Sequence, residues 1–200
     1  MKKVLFLNGS ISTRKNSFSS IVTQEIIDEY RRLNPDDEII EYDLNKTHAG
    51  AIVHAHNLTE YYNQVDSDFW IDLLAKVDKI IIASSEINFS VSPVVKNFID
   101  SIMVPKKTFV YKQDSSINNP SQGLLNHLSV LIVTSRGSHE SAYTWAATGE
   151  WLKNIWLFLG VPNVQHINIH GTDLAENKNL SSEEIKNKHK DEIEKVLKEF

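Results

Sequence analysis

The stretch Met1-Lys-Lys-Val-Leu-Phe-Leu-Asn-Gly-Ser10, continued after a short polar interval by Ser17-Phe-Ser-Ser20, decides how the rest of the chain is read. Val4–Leu7 is a short apolar run of the kind that forms a buried strand. Ser17 then stands before a segment in which Phe18, Val22, Ile26, Tyr30 and Leu33 recur at spacings of three and four, the stripe of an amphipathic helix. A strand, a hydroxyl-rich loop and a helix N-terminus in that order make a seat for a phosphate. The first-turn N–H groups have no partner inside the helix and carry partial positive charge. A serine that merely caps its helix gives the same local pattern, so the remainder of the chain decides between the two.

Outward from this start, apolar runs and helical stripes alternate. Glu38–Tyr42 follows the turn cluster Asn34-Pro-Asp-Asp37 and suits a second strand, and a helix beginning near Thr59 runs through Phe69–Ala75. Lys79–Ala83 is a β-branched third strand. Ser92-Pro93 opens a helix that reaches about Met103, with serine as N-cap and proline at the first helical position. Leu128–Thr134 is the fourth strand, Thr144–Leu159 a helix stopped by Gly160 and Pro162, Val164–Ile169 the fifth strand and Ser181–Glu199 the last helix. This alternation predicts one α/β domain over residues 1–200: a flavodoxin-like, five-stranded doubly wound parallel sheet of order 2-1-3-4-5, with helices on both faces.

Ligands of such sheets bind beyond the carboxyl ends of the strands, at the switch point between strands 1 and 3. Three loops meet there, at residues 8–20, 84–93 and 134–144, and all three are rich in small polar residues. Asn88 beside Phe89 offers an edge and a face to a heteroaromatic ring. Gly137 gives the third loop backbone freedom, and His139 just after it is a candidate proton donor.

Composition narrows the classes of function. The net charge of −5 argues against a nucleic-acid partner, which requires clustered Lys and Arg. Without cysteine there is no thiolate ligand or disulfide. No apolar run approaches a membrane span, and Val4–Leu7 is too short for a signal peptide, so a cytoplasmic protein with no membrane partner is expected. His48, His54 and His56 fall outside the spacings of metal motifs, and no metal is expected. Residues 48–68 lack a clear period and are expected to form a flap over the site.

Several motifs together carry a resemblance. They are Ser10, Ser17-Phe18-Ser19, Tyr30-Arg31, Asn88-Phe89, Val95-Lys96-Asn97-Phe98, Thr108-Phe109-Val110-Tyr111, Gly123-Leu124 and Thr134-Ser135-Arg136-Gly137-Ser138. In these the chain resembles the FMN-dependent NADH-azoreductases, within the flavodoxin-like NAD(P)H:quinone reductases, over nearly its whole length. It departs from them at Ser85-Glu86-Ile87, where that family usually has Pro-Met-Tyr, and at Ser138, where it has Gly.

The resemblance implies bound FMN, NADH as electron donor, ping-pong two-electron transfer to a quinone or azo acceptor, and a homodimer. It assigns the phosphate to the hydroxyls of Ser10, Ser17 and Ser19 with the Phe18 and Ser19 amides. The ring falls to Glu86, Ile87, Asn88 and Phe89, and to Ser135, Arg136, Gly137 and Ser138 with their backbone N–H groups. Arg136 either adds positive charge near the ring, points to solvent or pairs with Glu140. Glu86 disfavours a reduced, anionic flavin if its carboxylate points inward. Tyr111 and Phe109 would line the acceptor pocket, Trp145 would cover the ligand, and no residue beyond the candidates His139 and Tyr111 is assigned to proton transfer. The alternatives are a flavodoxin-like FMN electron carrier and an acyl-carrier-protein phosphodiesterase-type hydrolase.

Overall fold

In the computed structural model, which describes residues 1–12, 17–112 and 120–200, β1 (Lys3–Gly9) is sealed on both faces, as a central parallel strand must be. α1 (Phe18–Leu33) returns the chain to β2 (Glu38–Asp43), and the short α2 (Leu44–Thr47) follows. α3 (Tyr61–Gln64) and α4 (Ser67–Leu74) lead to β3 (Lys79–Ile87), the two-residue β4 (Ser90–Val91) and α5 (Pro93–Ile102). β5 (Phe109–Tyr111) and β6 (Ser121–Gly123) form a separate hairpin. β7 (Ser129–Ser135), α6 (Thr148–Phe158), β8 (Asn163–Ile169) and α7 (Ser182–Glu199) complete the chain.

The parallel sheet runs β2-β1-β3-β7-β8. Counting only its parallel strands in chain order, this is the expected 2-1-3-4-5 winding. Alternate residues of each strand feed opposite cores. Val4, Phe6, Ile81 and Leu131 pack under α1 and α7, while Leu5, Leu7, Ile80 and Ile132 pack against Trp70, Phe98 and Trp156 of α4, α5 and α6.

Three expectations are corrected in detail. The helix from Thr59 is broken, because Asp66 takes a left-handed conformation (φ 55°) between α3 and α4. α6 starts at Thr148 rather than Thr144, after Tyr143 at φ 56°. The segment 48–68 is strapped to α5 rather than laid over the switch point. The Asn97 amide donates to the carbonyls of His48 (2.7 Å) and Ala51, and the Tyr61 hydroxyl donates to Asn97 Oδ1 at 2.6 Å. Lys46, Gly50, His54 and Glu60 line a cavity of that segment's own. No helix among the described residues is long and apolar enough to cross a membrane.

Candidate functional site

The carboxyl ends of β1, β3 and β7 are drawn together by small residues. A Cβ on Gly9 would fall 2.1 Å from the Val95 side chain, so glycine is what lets α5 approach the end of β1. Ser92, the N-cap of α5, accepts from the Val95 amide and donates its hydroxyl to the Gly9 carbonyl at 2.6 Å. The Ser10 and Ser85 hydroxyls stand 3.0 Å apart, and the Asn45 amide donates to the Ser10 carbonyl at 2.8 Å.

These ends open into a cavity of about 730 Å³. At one end lie Ser17, Phe18 and Ser19, where the Ser17 hydroxyl accepts from the Ser20 amide (3.2 Å) and the Ser17 carbonyl accepts from Ile21 (3.0 Å). The helix therefore leaves its Phe18 and Ser19 amides unengaged by its own groups, two donors at a positive helix end. At the other end lie Ser85, Glu86, Ser135, Arg136 and Gly137. A smaller cavity of about 240 Å³ adjoins, sharing Glu86, Ser135 and Arg136 and adding Thr134, Thr148, Gly149 and His166.

The structure thus brings together seven of the expected residues: Ser17, Phe18, Ser19, Glu86, Ser135, Arg136 and Gly137. Ser10 touches the site through Ser85 rather than lining it. Residues 13–16 of the first loop lie outside the described residues. Asn88 and Phe89 occupy the two-residue turn between β3 and β4, both at positive φ (47° and 68°), and neither they nor Ile87 line the larger cavity. The Phe89 ring instead meets Trp145 (4.5 Å) and Tyr143 (5.1 Å), a partly exposed aromatic surface.

The backbone of the third loop is tied to the end of β8 and the loop after it. The Arg136 amide donates to the Ile169 carbonyl (2.8 Å), and the carbonyls of Gly137 and Ser138 accept from Asp173 and Gly171. A Cβ on Gly137 would fall 2.1 Å from Asp173 Oδ2, so this glycine answers to the loop after β8. Ser138 faces that loop and stays out of the cavity wall. His139 bonds Ser141 (2.8 Å) and meets the His170 ring edge to face, also away from the wall. Tyr111 is exposed on the β5–β6 hairpin beside Phe109.

Arg136 pairs with Glu86, not Glu140, and does not point to solvent. Its Nε lies 3.2 Å from Glu86 Oε1, and both side chains are about nine-tenths buried, whereas Glu140 Oε2 lies 3.8 Å from His170 Nε2. Thr148 donates its hydroxyl to the other Glu86 oxygen at 2.7 Å. The Glu86 carboxylate does point inward, but against a cation. In the smaller cavity the His166 Nε2 lies 2.7 Å from the Thr134 hydroxyl, and burial holds this imidazole below its usual pKa.

Sequence reasoning missed the far wall of the larger cavity, made by Thr172, Asp173, Asn177, Lys178, Leu180 and Ile185. The signal was available in outline: the loop after β8 leaves the same edge of the sheet as the other three, and it opens His170-Gly-Thr-Asp173.

A mononucleotide with a flavin ring suits these residues. The volume is in the range of small-ligand sites, one end offers hydroxyls and helix-terminal amides for a phosphate, and the other holds buried Arg136 N–H groups that lack a hydrogen-bond partner. Comparison with known proteins agrees. A family model described as flavodoxin-like fold matches residues 2–197. The FMN-dependent NADH:quinone oxidoreductase of Mycoplasmopsis synoviae is 40% identical over 176 residues, covering 88% of this chain and 87% of that protein. The protein of the same name from Malacoplasma penetrans is 37% identical, covering 100% and 94%. Among solved structures, an azoreductase from Bacillus anthracis superposes with a TM-score of 0.82 at 20% identity over the full length of both chains. An FMN-dependent NADH-azoreductase from the same species, in complex with FMN, gives 0.78 at 19% identity, covering 99% and 98%. At such identities these two likenesses speak for the fold, and the closer sequence relatives speak for the family. The chain belongs to the flavodoxin-like family and, within it, to the FMN-dependent NADH:quinone oxidoreductases.

Proposed function

We propose that this protein is an FMN-dependent NADH:quinone oxidoreductase that also reduces azo compounds, with donor and acceptor using the site in turn. The observation that carries the reading is the single cavity joining the N-terminus of α1 to the carboxyl ends of β3 and β7. Bound FMN would supply the two-electron chemistry, and the protein supplies position and electrostatics. Ser17 and Ser19 hydroxyls with the Phe18 and Ser19 amides bind the phosphate, helped by the partial positive charge of α1. Ser85, Ser135 and Gly137 bound the ring end, and the paired Arg136 and Glu86 keep its wall dry and close to neutral. Asn88 and Phe89 hold the rim: the turn follows Glu86 along the chain, and the Phe89 ring meets Trp145, three residues before the Thr148 that bonds Glu86. A planar acceptor stacks against this aromatic surface. A homodimer in the cytoplasm is the setting we propose, on the family resemblance.

The visible spectrum of the purified protein tests the reading. Added FMN should be retained, with bands near ~370 and ~450 nm that bleach on anaerobic addition of NADH and return with a quinone. Bound flavin that NADH leaves oxidised would point to an electron carrier, and no uptake would remove the oxidoreductase reading.

A further inference from the structure

Glu86 and Arg136 each stand one residue beyond the last paired position of adjacent strands, Ser85 opposite Ser135. The register therefore sets them side by side, 3.2 Å apart with side chains 10% and 9% exposed. Thr148, the first residue of α6, fixes the second carboxylate oxygen. Ala147, the N-cap of α6, has no side-chain bond to offer, so β3 supplies a carboxylate to this positive helix end. Both charged residues line both cavities and form part of the wall between them. The Nε of Arg136 is close enough to Glu86 for an ion pair but makes no hydrogen bond to it, and Nη2 has no partner either. Both atoms are sealed from solvent, so through them the guanidinium acts on a ligand by its field, which little water weakens.

We propose that the Glu86–Arg136 pair is the charge-setting element of this site: Glu86, held by Thr148, offsets the Arg136 charge in the cavity wall and keeps the potential of a flavin in the larger cavity below what Arg136 alone would give. The proposal rests on the oxidoreductase reading above. Reduction by NADH moves two electrons and one proton together as a hydride, so the ring gains one unit of negative charge. A lone buried cation favours that form, and a compensated one favours it less. Glu86 is a positioning residue, acting through Arg136. Glu86 thus brings a negative charge into the wall, and Arg136, one residue beyond β7, cancels most of it.

The test is the two-electron midpoint potential of FMN bound to the unaltered protein, to Glu86→Gln, to the double variant Glu86→Gln/Arg136→Gln, and to Glu140→Gln. In Glu86→Gln the affinity for reduced over oxidised FMN should rise at least about tenfold, an upward shift of about 30 mV. The double variant, neutral again, should return to within about threefold of the unaltered ratio. Glu140, an exposed carboxylate on the third loop, should leave the potential unchanged when neutralised, because solvent and salt screen it. Thr148→Val keeps both charges but frees one Glu86 oxygen, and it should raise the potential by less; it gives the reading even if Glu86→Gln does not fold. FMN bound to Glu86→Gln or, where that variant does not fold, to Thr148→Val at an unchanged or lower potential overturns the proposal alone, as does a double variant that stays at the raised potential of Glu86→Gln. FMN that fails to bind the unaltered protein overturns the oxidoreductase reading and this proposal with it.

Discussion

Ser17 serves the helix and the site with one hydroxyl, which accepts from the Ser20 amide while lining the cavity. The two duties separate under substitution. Aspartate caps a helix as well as serine does, so Ser17→Asp should leave the stability of the apoprotein within about 1 kcal/mol. It also sets a carboxylate against the phosphate, and the Kd for FMN should rise at least about tenfold, roughly 1.4 kcal/mol. Titration by flavin fluorescence and a urea melt together check this, and undiminished binding would contradict the phosphate seat. Gly9 is constrained from the opposite side, by packing. A methyl group there meets Val95 at 2.1 Å and the Ala83 carbonyl at 2.8 Å, and overfilled cores lose about 1–3 kcal/mol. Gly9→Ala should lower the urea midpoint accordingly, and Val95→Ala in the same chain should return part of the loss. If the two losses simply add, the close approach is not the reason for the glycine.

At the scale of elements, the β3–β4 turn sets strain against packing. Two-residue hairpins favour Asn-Gly, since both central residues need positive φ; here the second is Phe89 at φ 68°. Relief of that strain by Phe89→Gly is worth about 1 kcal/mol, and the lost ring contacts with Trp145 and Tyr143 cost a similar amount. The melting temperature should therefore move little while quinone reduction falls, a split readable from a thermal melt beside steady-state kinetics. A variant that is distinctly more stable and fully active would leave Phe89 without a role. This turn also shows where the sequence stops being legible. Lys79–Ala83 announces a strand by its continuous apolar run, and the alternation of such runs with helical stripes suffices for the sheet order. The four further residues of β3, its hairpin and the β5–β6 hairpin are too short to show a period that would betray them. The loops of the site were legible because they follow strand ends; the Glu86–Arg136 pair was not, because it depends on the register of β3 against β7.

At the scale of the whole molecule, the acid response follows from an imidazole the fold keeps neutral. His48 closes α2, is almost fully buried, and lies between Trp70 (5.1 Å) and Phe98 (5.4 Å). Its nitrogens face the hydroxyls of Thr47 (2.9 Å) and Ser101 (3.2 Å), and among the described residues no carboxylate pairs with it. Desolvation alone pushes its pKa from 6.5 down to about 4. Between those values the unfolded chain binds a proton that the folded one refuses, so stability present above pH 6.5 is lost as pH falls toward about 4. The loss between pH 7 and pH 5 amounts to about 2 kcal/mol from this residue, a large share of the margin on which a domain of this size stands. Buried His166 acts in the same direction, moderated by the nearby Glu150 and Glu192 and reinforced by Lys153. His48→Gln keeps an uncharged donor and acceptor between the two hydroxyls. Its urea-derived stability should be lower at pH 7 than that of the unaltered protein but should fall less steeply toward pH 5, by about 2 kcal/mol over that interval. Equal slopes in the two proteins would mean that His48 takes up its proton without unfolding, and that the seal formed by Trp70 and Phe98 opens at little cost.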